Sequence, residues 1–355
     1  MKLTFRTSAA LGAALLALTA AGCGGSDAGT HTEGELEVML SYKKSIAWLP
    51  LLVAEERGYF DEEGVKISLE ATSGSGFVTQ QVLADNVIVG WAGAPDVAVA
   101  YSRDSDIRSP MCNLTSNIFR IVVPQDSDIE EVADLKGKTL GIAEAGGGEE
   151  PIVNASLKDA GLERDVDVAI LPIGDAGPAS LNAILDGKVD AYAGSYPDIS
   201  TLTADGRLVT RDITPSAYDA IPGDCLVTTK DHLADEGTRK DILGMARAWA
   251  RGAVFAAAHP DEALEIACRQ VPQECEDMDF ARQYLEDTIA LFGDIDGAVY
   301  GAVPLDAWET TIAVLRDSGA IGSDVNAEDL GAGEDIRAFV EEYSDFDAAA
   351  LRAGE

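Results

Sequence analysis

The stretch Ala143 to Pro151, AEAGGGEEP, places three consecutive glycines and two glutamates in front of a segment with helical spacing. A glycine-rich turn that opens a helix ordinarily receives anions, because unpaired N–H groups and the positive end of the helix dipole face whatever lies there. Here Glu149 and Glu150 occupy that first turn. Two carboxylates neutralise the dipole and repel an added anion. The turn therefore favours a ligand with amine or N–H donors, unless both acids only cap the helix.

Other candidate binding residues follow predicted strands or begin predicted helices, where glycine and small residues let a ligand approach the backbone. Trp48, Trp91 and Tyr196 are placed to stack on a flat ring, although Trp91 follows an apolar run and also fits the core. Asp96 fits either a ligand contact or a helix N-cap. The predicted ligand-binding residues are Tyr42, Lys43, Trp48, Gly74, Ser75, Gly76, Trp91, Ala92, Gly93, Asp96, Asn117, Gly146, Gly147, Gly148, Glu149, Glu150, Ser195 and Tyr196.

Positioning these residues requires a scaffold that brings the ends of strands together. Near-continuous apolar strands such as LEVMLSY and NVIVGWAG alternate with amphipathic helices, and a second series of the same kind begins at FRIVVPQDS. This order is typical of mostly parallel sheets with helices on both faces. The chain after GDCLVTTKD is nearly all helical and must return to the first sheet. We predict an α/β fold of two lobes, the second inserted into the first, with two crossing strands near FRIVVPQ and CLVTTK as a hinge.

The N-terminal segment predicts export. Lys2 and Arg6 precede an apolar run that is too short to span a bilayer permanently and that ends in small residues before Cys23. This resembles a bacterial lipobox, whose cysteine carries lipid, although a plain secretory signal that contains a cysteine is the alternative. The predicted division is 1–23 lipoprotein signal, 24–35 flexible linker, 36–122 first part of lobe 1, 123–226 lobe 2, and 227–355 second part of lobe 1 with an acidic tail.

The composition excludes several functions. The 62 acidic and 26 basic residues give a formal charge of −36, which argues against nucleic acid or an anionic membrane surface as a partner. The histidines are His31, His232 and His259, and the sequence has no Ser-His-Asp order, zinc-ligand spacing or phosphate-binding loop. We therefore predict neither an enzyme nor a cofactor or metal requirement.

The four cysteines after Cys23 form an even set in an exported chain, which predicts disulfides with three possible connectivities. The crossing strands place Cys112 and Cys225 on neighbouring strands, so we favour that pair together with Cys268 and Cys275. Four buried free thiols are the alternative.

Several longer motifs point to a known family. LPLLVAEERGYFDEEGVKISL, GWAGAPDVAVA, IVVPQDSDIEEVADLKGKTLGI, ILDGKVDAYAGSYPD and AWETTIAVLRDSGAI occur in one order over roughly residues 36 to 330. This combination resembles the nitrate, sulfonate, taurine and thiamine-precursor binding family, the solute receptors of bacterial ABC importers. The resemblance implies the type II periplasmic-binding-protein fold, with two lobes that close on a small ligand. It also implies a monomer that is anchored by lipid on the outer face of the cytoplasmic membrane and has an ABC permease as its partner.

The resemblance also sharpens the ligand prediction. Family members that capture sulfonates place a Gly-Ser-type turn at the equivalent helix start, whereas GGGEEP is similar to the turn of members that bind pyrimidine precursors of thiamine or flavins. We predict a flat, nitrogen-rich heterocycle held through its amino groups by Glu149 or Glu150. The alternatives are a sulfonate, taurine or nitrate ligand, a sensory lipoprotein, or a pyrimidine-precursor enzyme, for which the Cys-rich motif is absent from the sequence.

Overall fold

The computed structural model describes residues 35–72, 74–174, 176–295, 299–322 and 324–354. The predicted signal, the predicted lipidation site Cys23 and nearly all of the predicted linker lie outside these residues, as do Ser73 and Asp175. Within the described ranges, no helix has both the length and the apolar character that crossing a membrane requires.

Ten strands within the described ranges form two sheets of five strands each. The order is β2-β1-β3-β10-β4 in the first sheet and β7-β6-β8-β5-β9 in the second. The strands are β1 Glu35–Leu40, β2 Lys66–Ala71, β3 Val89–Gly93, β4 Ile107–Arg108, β5 Phe119–Pro124, β6 Thr139–Ile142, β7 Ala169–Pro172, β8 Ala191–Ser195, β9 Thr210–Asp212 and β10 Asp224–Thr229.

Helices flank both sheets, and those after β10 return to the first sheet. In the described part of the chain the α-helices are α1 Leu49–Glu56, α2 Tyr59–Glu62, α3 Ser75–Leu83, α4 Ala94–Arg103, α5 Glu150–Asp159, α6 Pro178–Leu185, α7 Tyr196–Thr203, α8 Lys230–Ala234, α9 Glu236–Ala258, α10 Pro260–Gln270, α11 Met278–Ala290, α12 Leu305–Ser318, α13 Glu334–Tyr343 and α14 Ala348–Ala353. Short 3₁₀ helices cover Ile46–Trp48, Val132–Leu135, Ser216–Tyr218 and Pro272–Cys275, and a π-helix covers Glu328–Ala332.

The two crossing strands run antiparallel to the neighbours that they join. β10 pairs with β3 so that Asp224 faces Gly93, and β5 pairs with β8 so that Phe119 faces Ser195. The starts of β5 and β10 therefore lie beside the ends of the parallel strands, at the edge of each sheet where α/β proteins bind ligands. The predicted two-lobed fold with crossing strands is confirmed. The predicted residue bounds of the lobes stay a prediction. Both inner boundaries fall within the crossing strands β5 and β10, which connect the two sheets.

The cores follow from the side-chain alternation of the strands. In β5, Ile121 and Val123 are buried in one cluster and Val122 in another, because successive side chains point to opposite faces of a sheet. Both faces of the second sheet are thus covered, as the apolar strands predict. The first lobe has one larger core that includes Trp48, Trp91 and Trp249.

The structure contains the two favoured disulfides. Cys112 and Cys225 form an antiparallel bridge and are joined by a disulfide across 113 positions of sequence. Cys268, in the last turn of α10, is bonded to Cys275, which ends the following 3₁₀ helix. Each bond closes a loop, which restricts the unfolded chain.

Candidate functional site

A cavity of about 200 Å³ lies between the lobes, where strand ends of both sheets meet. Half of the residues predicted from the sequence line this cavity. They are Tyr42, Lys43, Trp48, Gly74, Ser75, Gly147, Gly148, Glu149 and Ser195. The remaining predicted residues are Gly76, Trp91, Ala92, Gly93, Asp96, Asn117, Gly146, Glu150 and Tyr196, and they lie outside its lining.

Glu149 extends from the glycine-rich turn into the cavity. Its side chain is 4% exposed, and the backbone N–H of Ala143 donates to its Oε1 at 3.0 Å. The pKa of Glu149 is raised to about 8, chiefly because the group is buried. The charge of Asp198 also raises the pKa, whereas hydrogen bonds from the backbone N–H groups of Glu149 and Ala143 lower it. The carboxyl group is a strong acceptor enclosed in protein, which matches a ligand that donates N–H groups.

Glu150 faces away from the cavity. Its Oε1 accepts from Arg164 Nη2 at 2.6 Å, and the same arginine donates to Asn154 at 3.0 Å. The two glutamates of the turn therefore differ in function: one lines the cavity and the other forms an ion pair on α5. The N-cap of α5 is Glu149, and no side chain caps it by a hydrogen bond.

Asp224 supplies a second carboxyl group from the opposite lobe, because β10 belongs to the first sheet whereas Glu149 follows β6 of the second. It begins β10 and lines the cavity, and Ser41 Oγ donates to its Oδ1 at 3.5 Å. Burial raises the pKa of Asp224 to about 7, and the hydrogen bond from Ser41 opposes that rise. Lobe 1 thus presents an acceptor of its own toward the ligand space.

Asp96 lies behind the cavity in the first turn of α4. The N-cap of that helix is Gly93, so Asp96 is not its N-cap. Its Oδ2 is buried with no hydrogen-bond partner. Burial, and then the charges of Glu149, Glu150 and Asp224, raise the pKa of Asp96 well above its ordinary value. A raised pKa favours the neutral form of Asp96, which carries no negative charge toward the cavity.

The three predicted aromatics have different positions. Trp48 lines the cavity, while its ring contacts Trp249 edge-on at 6.1 Å between centroids. Trp91 is fully buried and lies 4.4 Å from Trp249, so the structure places it in the core. Tyr196 crosses between lobes: its hydroxyl bonds Thr288 Oγ1 at 3.1 Å. Among these rings, Trp48 is the one that a ligand in the cavity would meet.

The two lysines after β1 also differ. Lys43 lines the cavity, and its Nζ lies 5.3 Å from the ring centroid of Tyr42. Lys44 forms an ion pair with Glu55 at 2.5 Å, on α1. One cation of the pair is therefore placed beside the ligand space and the other stabilises the scaffold.

Glycines of both lobes pack at the mouth of the cavity. Gly74 has a φ of +95°, and a Cβ there would lie 2.6 Å from Glu144 Oε1 in the opposite lobe. A Cβ on Gly148 would lie 2.5 Å from the ring of Phe119 and 2.9 Å from Ser75 Oγ. Side chains at these positions would hold the lobes apart, so the glycines permit the close approach.

Asn117 and Ser195 support the walls. Asn117 is 1% exposed and accepts from the N–H of Phe119 at 3.0 Å, which fixes the start of β5. Ser195 donates to Asp198 Oδ2 at 2.6 Å in a capping box that begins α7. Both contacts keep backbone turns in place beside the ligand space.

Several lining residues were not among those predicted from the sequence, which mostly follow strands or begin helices. Phe119 and Asp224 begin strands, and they reach the cavity because β5 and β10 are antiparallel to their neighbours. The predicted crossing strands were the feature of the sequence that could have indicated these two residues, because a crossing strand starts where its neighbours end. The lining residues that were not predicted are Ser41, Ala47, Ala71, Thr72, Ile118, Phe119, Ala143, Glu144, Pro197, Asp198 and Asp224.

The described ranges contain no group of three or more His, Cys, Asp or Glu side chains arranged to hold a metal ion.

Known proteins resemble this chain in sequence and fold. Residues 46–263 match the family model described as NMT1/THI5 like. A formylaminopyrimidine-binding protein of Halalkalibacterium halodurans is 24% identical, over 84% of this chain and 92% of its own. The riboflavin-binding protein RibY of Chloroflexus aurantiacus is 23% identical, over 83% and 84% respectively. In fold, the aliphatic sulphonate binding protein SsuA from Escherichia coli superposes with a TM-score of 0.61 at 15% identity, covering 84% of this chain and 92% of that protein.

Proposed function

Because the chain belongs to the NMT1/THI5-like family, we propose that it is an extracytoplasmic solute-binding protein for a small heteroaromatic amine of the aminopyrimidine class, which it delivers to an ABC permease. The observation that carries this proposal is the pair of carboxyl groups that face one cavity from opposite lobes, Glu149 and Asp224. A ligand that donates to both would join the lobes, so binding and closure would stabilise each other.

The walls of the cavity suit a flat ring with polar edges. Trp48 and Phe119 line it with aromatic surface, and the carboxyl groups accept hydrogen bonds. Ring amino groups donate in the plane of the ring, while its faces stay free to pack on aromatic side chains. An aminopyrimidine combines both features in one molecule.

The size of the cavity favours one ring over a flavin. Its volume of about 200 Å³ lies below the roughly 300–1,000 Å³ that is typical of cavities for drug-sized ligands. The names of the relatives include both formylaminopyrimidine and riboflavin as ligands. Between these two, the smaller molecule fits a cavity of this size better.

Charge argues against a sulfonate, taurine or nitrate ligand. Four acidic residues line the cavity, namely Glu144, Glu149, Asp198 and Asp224, and in the described lining Lys43 is the cation. An anion would lie beside these carboxyl groups, and each of them that is ionised would repel it strongly in a region of low dielectric. The sulphonate-binding protein SsuA shares the fold, and ligand class does not follow from fold.

Calorimetric titration tests the ligand class. We expect 4-amino-5-hydroxymethyl-2-methylpyrimidine to bind more tightly than riboflavin, and taurine and nitrate to give no heat of binding. Tight binding of taurine or nitrate together with no aminopyrimidine binding would refute the proposal. Mass spectrometry of small molecules released from freshly purified, denatured protein gives an independent identification.

We place the mature protein outside the cytoplasmic membrane as a monomer anchored through lipid on Cys23. The relatives named above are binding proteins, in agreement with the prediction that the chain is not an enzyme. Replacing Cys23 with Ala should release the protein from the membrane fraction into the soluble extracytoplasmic fraction, and a variant that stays in the membrane fraction would contradict the anchor. An adjacent permease and ATPase gene would favour import, whereas an adjacent sensor kinase gene would favour signalling.

A further inference from the structure

A buried polar network holds the loop that carries Lys43 and Trp48 to the cavity. Ser45, which is 0% exposed, is the N-cap of the 3₁₀ helix Ile46–Trp48 and accepts from the N–H of Ala47 at 3.2 Å. The indole N–H of Trp48 donates to the carbonyl of Lys43 at 3.2 Å, so the loop closes on itself. The conformation of this loop therefore sets the position of both lining residues.

One distant carboxylate anchors that loop. Glu274 Oε2 accepts from the N–H of Ile46 at 2.8 Å and from Ser45 Oγ at 3.1 Å, although the two segments lie 228 positions apart in sequence. The first N–H groups of a helix have no partner within the helix. A hydrogen bond that such an N–H donates to a charged carboxylate is stronger than one between neutral groups. Tyr284 adds a third contact, because its hydroxyl lies 2.9 Å from Ser45 Oγ.

The segment that carries Glu274 is short and covalently tied. Glu274 belongs to the 3₁₀ helix Pro272–Cys275, and its N–H donates to the carbonyl of Val271 at 3.0 Å. The disulfide between Cys275 and Cys268 fastens this turn to α10, which packs in the core of lobe 1. A bond of this kind limits the positions that the adjacent Glu274 can adopt.

We propose that Glu274, held in place by the Cys268–Cys275 disulfide, is a positioning residue that fixes the Lys43–Trp48 loop in the wall of the ligand cavity. Neither Glu274 nor either cysteine lines the cavity. Glu274 acts on ligand affinity through Ser45 and Ile46, which hold the ring of Trp48 at the position where it contacts the ring of the ligand. The proposal rests on this cavity being the ligand site.

Two measurements on Glu274→Ala test it. In the ligand-free protein, acrylamide quenching of tryptophan fluorescence should rise, because Trp48 loosens while Trp91, Trp249 and Trp308 stay buried in the core. Calorimetry with 4-amino-5-hydroxymethyl-2-methylpyrimidine should show roughly tenfold weaker binding, which corresponds to about 1.4 kcal/mol. Glu274→Gln keeps an acceptor oxygen and should restore most of both properties.

Glu276→Ala is the matched control, because Glu276 is exposed and directly follows Cys275. It should leave quenching and affinity unchanged. The double variant Cys268→Ser and Cys275→Ser should behave like Glu274→Ala at a temperature where far-ultraviolet circular dichroism shows it folded. Wild-type quenching in Glu274→Ala would overturn the role of Glu274, and wild-type quenching in the double variant would overturn the role of the disulfide.

The quenching measurement needs no ligand. If the wild-type protein binds no aminopyrimidine, the proposed function fails, while the change in quenching still decides whether Glu274 positions the loop. If the wild type binds and Glu274→Ala binds equally well, the proposed function stands and the positioning role is refuted.

Discussion

The two walls of the cavity are built in different ways. The lobe 1 wall consists of large side chains on a buried scaffold: Trp48 packs on Trp249, and Asp224 begins β10, which lies between two other strands of the sheet. The lobe 2 wall combines the backbone of Gly147 and Gly148 with short or acidic side chains, among them Glu144, Glu149, Ser195 and Asp198.

This difference separates two tasks. A large side chain on a rigid core offers apolar surface whose position does not depend on the ligand, and its loss also lowers the stability of the protein. A glycine turn offers shape and one acceptor, and it contributes little to a core. We expect substitutions in the lobe 2 turn to change ligand binding with small effects on stability, and substitutions in the lobe 1 wall to change both.

Replacing Glu149 with Gln tests the lobe 2 acceptor most directly. Leaving a buried hydrogen-bonding group without its partner costs about 1–3 kcal/mol, so aminopyrimidine affinity measured by calorimetry should fall by about 5- to 150-fold. Glu150→Gln is the control, because that carboxylate pairs with Arg164 away from the cavity. Equal losses in both variants would contradict the division between the two glutamates.

Replacing Gly148 with Ala tests whether the lobes must meet this closely. The added Cβ would lie 2.5 Å from Phe119 and 2.9 Å from Ser75. Overpacking costs about 1–3 kcal/mol, so affinity should fall up to about 100-fold while the ligand-free melting temperature changes little. Gly322→Ala is the control, since a Cβ there meets nothing within 4 Å. Unchanged affinity in Gly148→Ala would mean that closure tolerates extra bulk.

Comparing Trp48→Phe with Trp91→Phe tests the lobe 1 wall. Trp48 lines the cavity, whereas Trp91 is buried behind it. A stacking contact contributes about 0.5–1.5 kcal/mol beyond burial, so Trp48→Phe should weaken aminopyrimidine binding by up to about tenfold. Trp91→Phe should lower the melting temperature and leave the dissociation constant near that of the wild type. A larger loss of affinity in Trp91→Phe would reverse the assignment.

The dependence of stability on pH tests the burial of Glu149. Its pKa rises from 4.5 to about 8 on folding, so the folded state binds more protons than the unfolded state between these values. The contribution of Glu149 to the free energy of unfolding is therefore fully present below pH 4.5, and it is lost as the pH rises toward about 8. The melting temperature of the ligand-free wild type should fall more steeply over that range than that of Glu149→Gln. Parallel curves would show that Glu149 is solvated.

Much of the fold follows from the sequence because local patterns carry it. The alternation of apolar strands with amphipathic helices predicts covered, mostly parallel sheets, and FRIVVPQ and CLVTTK correspond to the crossing strands β5 and β10. Part of the site follows in the same way, since Lys43, Gly148 and Ser195 come directly after strands or before a helix and line the cavity.

The sequence by itself determined the two-lobed fold, the family and the turn that carries an acidic acceptor, because each depends on the order and type of neighbouring residues. Only the tertiary structure decided that Glu149 faces the cavity while Glu150 pairs with Arg164, and that Trp48 lines it while Trp91 is core. It also decided that Asp224 and Phe119 reach the ligand space. These assignments depend on contacts between segments far apart in the chain and on the direction of two crossing strands, which spacing along the sequence does not specify.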